Sequence, residues 1–120
     1  MILVDTSIRI EHLRQRSEKL SVLLGNNAIL IHPFVIGELA CGNLRHRRRV
    51  LAGLYEIPLV ATVSDSQVME FVEDNTLFGV GIGWIDAHLL AAAAKTDDCQ
   101  LWTRDKRLRF QAERLNMRHY

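Results

Sequence analysis

Three short strand-like runs, residues 1–4, 28–31 and 99–103, are separated by stretches long enough to hold helices. The first two are continuously apolar, as strands buried on both faces are, and connections of that length are not hairpins. Parallel pairing follows, because bringing a chain back to the same end of a sheet takes a crossover that is usually helical. The pattern predicts an α/β fold with a mostly parallel sheet in a compact three-layer α/β/α arrangement. At 120 residues the chain fits a single domain, residues 1–120, large enough to bury a core without staples.

The intervening segments carry helix signals. Residues 8–25 read as helix in two pieces, and Pro33 in its favoured first-turn position opens a helix over 33–41, with Gly42 after it. Leu44, Leu51, Leu54 and Tyr55 fall on one helical face, which leaves Arg45, Arg47, Arg48 and Arg49 mostly toward solvent; this helix ends near Ile57-Pro58. Residues 59–63 suit a short strand. Ser64-Asp65-Ser66-Gln67 matches a capping box that opens a helix with Val68, Phe71 and Val72 inward. Gly79, Gly81 and Gly83 do not follow a strand in the order a dinucleotide-binding turn requires, so residues 79–83 read as a loop. Two more helices are predicted over 84–95 and 105–116, with a final edge strand over 117–120.

The net charge is only +1, yet it is unevenly spread. Residues 41–59 carry four Arg against one Glu, residues 100–120 six basic residues against two acids, and residues 60–99 seven acids against one Lys. Twelve of the fifteen basic residues are Arg, which suits bidentate contacts to phosphate better than Lys does. The two cysteines, Cys41 and Cys99, form no C-x-x-C pair and have no histidines at zinc-ligand spacing, so both are expected as reduced, buried thiols. No apolar stretch approaches the roughly 20 residues of a bilayer span and the first residues lack a signal-peptide pattern, so a cytoplasmic protein off the membrane is expected.

The candidate chemistry lies in carboxylates. Asp5 ends the first strand, where open α/β sheets build their sites, although Asp is also a preferred helix cap. Glu38 lies one turn into the Pro33 helix and by itself is an ordinary surface residue. Asp86 opens a helix, Trp84-Ile85-Asp86-Ala87-His88-Leu89-Leu90-Ala91, that is apolar nearly all the way round and should therefore be buried. A carboxylate there is costly unless it is paired, hydrogen-bonded or bound to a cation, though a first-turn Asp also answers the helix dipole. Asp105 follows the third strand at the start of the last helix, again a capping position. In a parallel sheet these positions converge on one edge. Carboxylates gathered there repel unless a hard cation sits among them, and Mg²⁺ or Mn²⁺ prefers such oxygen ligands. Such an ion can activate water for attack on a phosphodiester, which makes a nucleophilic side chain unnecessary. His12, His32, His46, His88 and His119 are scattered over different elements and offer no Ser-His-Asp or Cys-His arrangement, so each is expected to be structural. Trp84, Trp102 and Phe110 could stack on bases but fit core positions better.

Val4-Asp5-Thr6-Ser7, Gly37-Glu38-Leu39, Ile85-Asp86-Ala87-His88-Leu89-Leu90-Ala91-Ala92-Ala93 and Leu101-Trp102-Thr103-Arg104-Asp105 together resemble the PIN-domain nucleases, specifically VapC-type toxins. Order and spacing carry the likeness, which spans nearly the whole chain. It implies a PIN-like fold and an endoribonuclease dependent on Mg²⁺ or Mn²⁺, acting as the toxin of a bacterial toxin–antitoxin pair on structured RNA. Carried over by position, it makes Asp5, Glu38, Asp86 and Asp105 the metal-site acids and Thr103 their hydroxyl-bearing neighbour. It further implies a cognate VapB-like antitoxin and a homodimer. One departure is Asp97-Asp98-Cys99, where relatives often carry Gly-Ala; it alters the turn before the third strand and is expected to add charge beside the acids. Arg47, Arg48, Arg49 and Arg104 are candidates for RNA phosphate contacts. Two other readings fit the sequence: a non-catalytic RNA-binding or regulatory α/β module, and a PIN nuclease of RNA processing that has no antitoxin.

Overall fold

The computed structural model describes residues 1–14 and 18–117. Strand β1 (Ile2–Val4) is the centre of a parallel sheet, flanked by β2 (Ile29–Leu30) on one side and β3 (Gln100–Trp102) on the other. Ile2 pairs with Ile29 and Gln100, Leu3 with Leu30 and Leu101, and Val4 with Trp102. Leu3, Val4 and Leu101 are wholly inaccessible. Burying an aliphatic side chain this fully stabilises a fold by about 1.5–3 kcal/mol, which is why the central strand carries no polar residue before Asp5.

Seven helices surround the sheet in the described residues: α1 (Thr6–Arg14), α2 (Glu18–Gly25), α3 (Pro33–Cys41), α4 (Arg47–Tyr55), α5 (Asp65–Asp74), α6 (Trp84–Lys95) and α7 (Lys106–Arg114). The two-piece reading of residues 8–25 matches α1 and α2. His32 caps α3, its Nδ1 accepting from the Phe34 N–H at 2.9 Å, with Pro33 in the first turn. Ser64 caps α5 through the Gln67 N–H, as the sequence pattern predicts. In α6 every residue from Ala87 to Ala93 is buried, the outcome expected of a helix apolar on all sides.

Several expectations need correction. Residues 59–63 form no strand; Leu59 makes a single parallel bridge with Ile31, and the Val60 N–H donates to the Ile31 carbonyl. The ladder stops because Pro33 has no N–H to offer and already belongs to α3. Tyr55 is 73% exposed, since it follows Leu54 by about 100° of helical turn and Leu54, with Val50 and Leu51, takes the inner face. Cys41, the last residue of α3, is exposed and Cys99 is half-buried, and both are free thiols. Trp102 lies in the core, whereas Trp84 and Phe110 reach the surface. Of the expected edge strand over 117–120, residues 118–120 lie outside the described residues, and Met117 instead packs half-buried against the core after a bond from its N–H to the Ala112 carbonyl.

The Asp97-Asp98 turn also lies elsewhere than expected. It enters β3, so it belongs to the end of the sheet where the strands begin, and the Met1 ammonium reaches the Asp98 carbonyl at 3.4 Å. Asp5 and Thr103 leave the other end. Asp98 takes a left-handed conformation (φ 52°), which Asp tolerates better than most residues, so the turn closes without the glycine.

Candidate active site

Because Val4 and Trp102 are register partners, Asp5 and Thr103 emerge side by side from adjacent parallel strands. Asp5 is 5% exposed, and a carboxylate so buried needs donors. It has three. The Ser7 N–H and hydroxyl donate to Oδ1 at 2.6 and 2.5 Å, and the Thr103 hydroxyl donates to Oδ2. Both hydroxyl oxygens in turn accept backbone N–H groups, Ser7 from Arg104 at 3.0 Å and Thr103 from Asp105 at 2.9 Å. The strand ends are thereby sewn together around the carboxylate.

The other acids approach from three helices. Glu38 on α3 is exposed but anchored, its Oε1 accepting from the Thr6 hydroxyl at 3.1 Å. Asp105 caps α7, with Oδ1 accepting from Arg107 and Leu108 N–H at 2.8 and 3.2 Å. Asp86, in the first turn of α6, accepts from the Gly83 N–H at 3.0 Å. The capping alternatives for Asp86 and Asp105 are therefore realised, and each residue caps its helix while facing the same edge. The loop before α6 is held against α7: Gly81 has φ 85°, and a Cβ there would lie 2.8 Å from Arg107 Cδ. Only glycine allows the Arg107 side chain to lie across this loop.

Asp86 is where the cluster registers electrically. Burial pushes its carboxyl pKa upward, the Gly83 hydrogen bond opposes this, and the negative charges of Asp105, Asp5 and Glu38 push it upward further. The other three acids identified in the sequence thus all act on Asp86. Among the described residues, however, no group of three His, Cys, Asp or Glu side chains stands close enough to enclose an ion, so the arrangement is an open mouth. Glu38 borders two hollows beside it, of about 520 and 630 Å³, the second also lined by Phe34 and Trp84. Arg104 lies within the acidic edge, between Thr103 and Asp105. Arg47, Arg48 and Arg49 sit exposed on α4 around a separate hollow that none of the four acids lines.

The PIN-domain family model matches residues 2–113. The chain belongs to the PIN-domain family. Within it, the chain is 46% identical over 112 residues to Ribonuclease VapC32 of Mycobacterium tuberculosis, in strain H37Rv and equally in strain CDC 1551. That alignment covers 91% of this chain and 88% of the relative.

In this PIN-domain chain the donor set suits a hard divalent cation. It is composed of oxygen alone, and the mutual repulsion expressed at Asp86 is the interaction such a charge relieves. Sequence reasoning singled out Thr103 but not the other two hydroxyl groups that organise it. Ser7 joins Asp5 to Arg104 and Thr6 anchors Glu38; the signal for both was the hydroxyl pair directly after Asp5, in the Asx-turn position. The aromatic group of His32, Phe34, His88 and Trp84, with ring centroids 4.6–5.8 Å apart, left no comparable mark, because its members come from two separate helices and a cap.

Proposed function

We propose that this chain is a divalent-cation-dependent endoribonuclease and the toxin of a toxin–antitoxin pair, with Asp5, Glu38, Asp86 and Asp105 as its metal-site acids. The observation that carries the site is the raised carboxyl of Asp86, shifted by burial and by the other three acids together. Mg²⁺ or Mn²⁺ is the cofactor such oxygen donors suit; it supplies Lewis-acid polarisation of the phosphodiester and makes water a competent nucleophile near neutral pH.

The chain's own residues hold and orient. Thr103 and Ser7 fix the direction of the Asp5 carboxylate, and Thr6 does the same for Glu38. In this reading the exposed Arg104 contacts a substrate phosphate, while Arg47, Arg48 and Arg49 supply nonspecific phosphate attraction from α4. The whole chain works as one PIN-like nuclease domain. Membership of the family and the likeness to a protein named a VapC ribonuclease support the ribonuclease and toxin assignments, and with them a VapB-like antitoxin. A homodimer and a cytoplasmic setting are part of the same proposal. No helix among the described residues is long and apolar enough to cross a membrane.

Purified protein is expected to cleave RNA with Mg²⁺ or Mn²⁺ and to stop when the cation is chelated. RNA binding without any cleavage product under either ion would replace the enzyme with a binding module.

A further inference from the structure

At the other end of the sheet, where the strands begin, a cavity of about 430 Å³ lies between α1, α2 and α4. Its lining includes Arg9, His12, Asn27, Arg49 and Glu56. Arg9 projects from α1 and is only 7% exposed, yet its Nε and Nη1 groups have no hydrogen-bond partner. A guanidinium cannot shed its charge as a buried Lys does, so a buried fork with unused donors is costly until an acceptor fills it. Burial alone already pulls its pKa down.

We infer that this cavity is a phosphate site in which the buried Arg9 fork and Arg49 bind one tetrahedral oxyanion. Three observations favour phosphate. Two guanidinium groups from different helices border one space, and planar forks of N–H donors match phosphate oxygens. The volume exceeds what a single water needs to satisfy Arg9. Arg49 also borders the exposed hollow lined by His46, Arg47 and Arg48, so the cavity adjoins the most basic stretch of the surface. The occupant is therefore either free phosphate or a backbone phosphate of RNA lying along α4. Glu56, exposed at the rim, is the only acidic residue among the described lining residues and competes for the same donors. The site is separate from the acidic mouth and does not depend on its assignment.

Inorganic phosphate is the first probe, applied to chelator-treated full-length protein and followed by calorimetry and thermal melts. Wild type is expected to bind one phosphate; Arg9→Met and Arg49→Ala each to weaken binding at least about tenfold; and Glu56→Gln to bind as tightly or more tightly. Lys95→Ala, exposed on α6 and outside the cavity, is expected to leave phosphate affinity unchanged. Arg49→Ala, on an exposed residue, keeps the test open if Arg9→Met fails to fold. No binding by wild type, or binding as tight as wild type in both arginine variants, overturns the inference. So does a Glu56→Gln variant that loses stability while wild type ignores phosphate, because Glu56 is then the partner of Arg9. Competition by a short RNA, equally effective with and without its terminal phosphate, assigns the site to the RNA backbone; phosphate binding undisturbed by RNA assigns it to the free ion.

Discussion

The two ends of the small parallel sheet handle buried charge in opposite ways. Where the strands end, a 5% exposed carboxylate, Asp5, has donors on both oxygens, and the surplus is negative charge shared with Asp86, Asp105 and Glu38. Where they begin, a 7% exposed guanidinium, Arg9, lacks acceptors for two of its donor groups. One end turns anionic oxygens toward a common edge, where a cation would relieve their repulsion; the other has unspent N–H groups, the arrangement an anion needs. Strand polarity and short polar turns produce the first, and a single Arg set between Ile8 and Ile10 of α1 produces the second.

The largest expected effect is on the acidic end. Asp5→Asn should lower RNA cleavage by roughly a thousandfold or more in single-turnover assays while circular dichroism stays native, because it removes a carboxylate charge and keeps the shape. Cleavage at the wild-type rate would take the metal-site assignment away from Asp5. Thr103→Val, which deletes only the hydroxyl holding Asp5, should weaken cation affinity by about 10- to 100-fold, read from the Mn²⁺ concentration at half-maximal cleavage. A loss of rate at unchanged half-saturation would instead give Thr103 a direct part in the reaction.

A smaller effect belongs to the basic surface. Replacing Arg47, Arg48 and Arg49 together by Ala should flatten the plot of log affinity for single-stranded RNA against log salt by about 2, at about 0.7 per phosphate contact. An unchanged slope would return these residues to the status of a solvated helix face. The smallest effect is conformational and lies at the cap of α3, beside the acidic end. Burial, aided by His88, lowers the His32 pKa from 6.5 to about 4. The unfolded chain therefore takes up this proton first, so stability should be complete above about 6.5 and decline as pH falls toward about 4. His32→Asn keeps a capping side chain for α3 and should remove that part of the slope in melts recorded across this range.

Much of this contrast is legible in the amino-acid sequence. Alternation of apolar runs with helix-length segments defines the parallel order, and the all-round apolarity of α6 marks Asp86 as a carboxylate in a buried setting. Tyr55 and residues 59–63 depart from their patterns for local reasons: helical periodicity does not tell the last residue of a face from the first beyond it, and a proline at 33 limits a ladder to one rung. The Asp97-Asp98 turn precedes β3 and so lies where the strands begin, which the parallel order already separates from the acids that follow their strands; the expectation of charge beside the acids overlooked this. Arg9 carries no signal at all. An Arg in a first-turn stretch reads as surface until α2 and α4 close over it.

The central claim, that the four acids form one cation site, is tested most directly by Mn²⁺ binding to wild type and to Asp86→Asn, measured by electron paramagnetic resonance with cleavage rates on the same samples. Asn keeps an acceptor for the Gly83 N–H but removes the charge on which the other three act. In the metal-free protein this variant should also melt higher near neutral pH, and that gain should vanish once pH falls below the ordinary carboxylate value, because a raised carboxyl costs stability only while it is ionised. Asp86→Asn is expected to lose Mn²⁺ affinity and RNA cleavage together. Wild-type Mn²⁺ binding and wild-type cleavage in Asp86→Asn would contradict it.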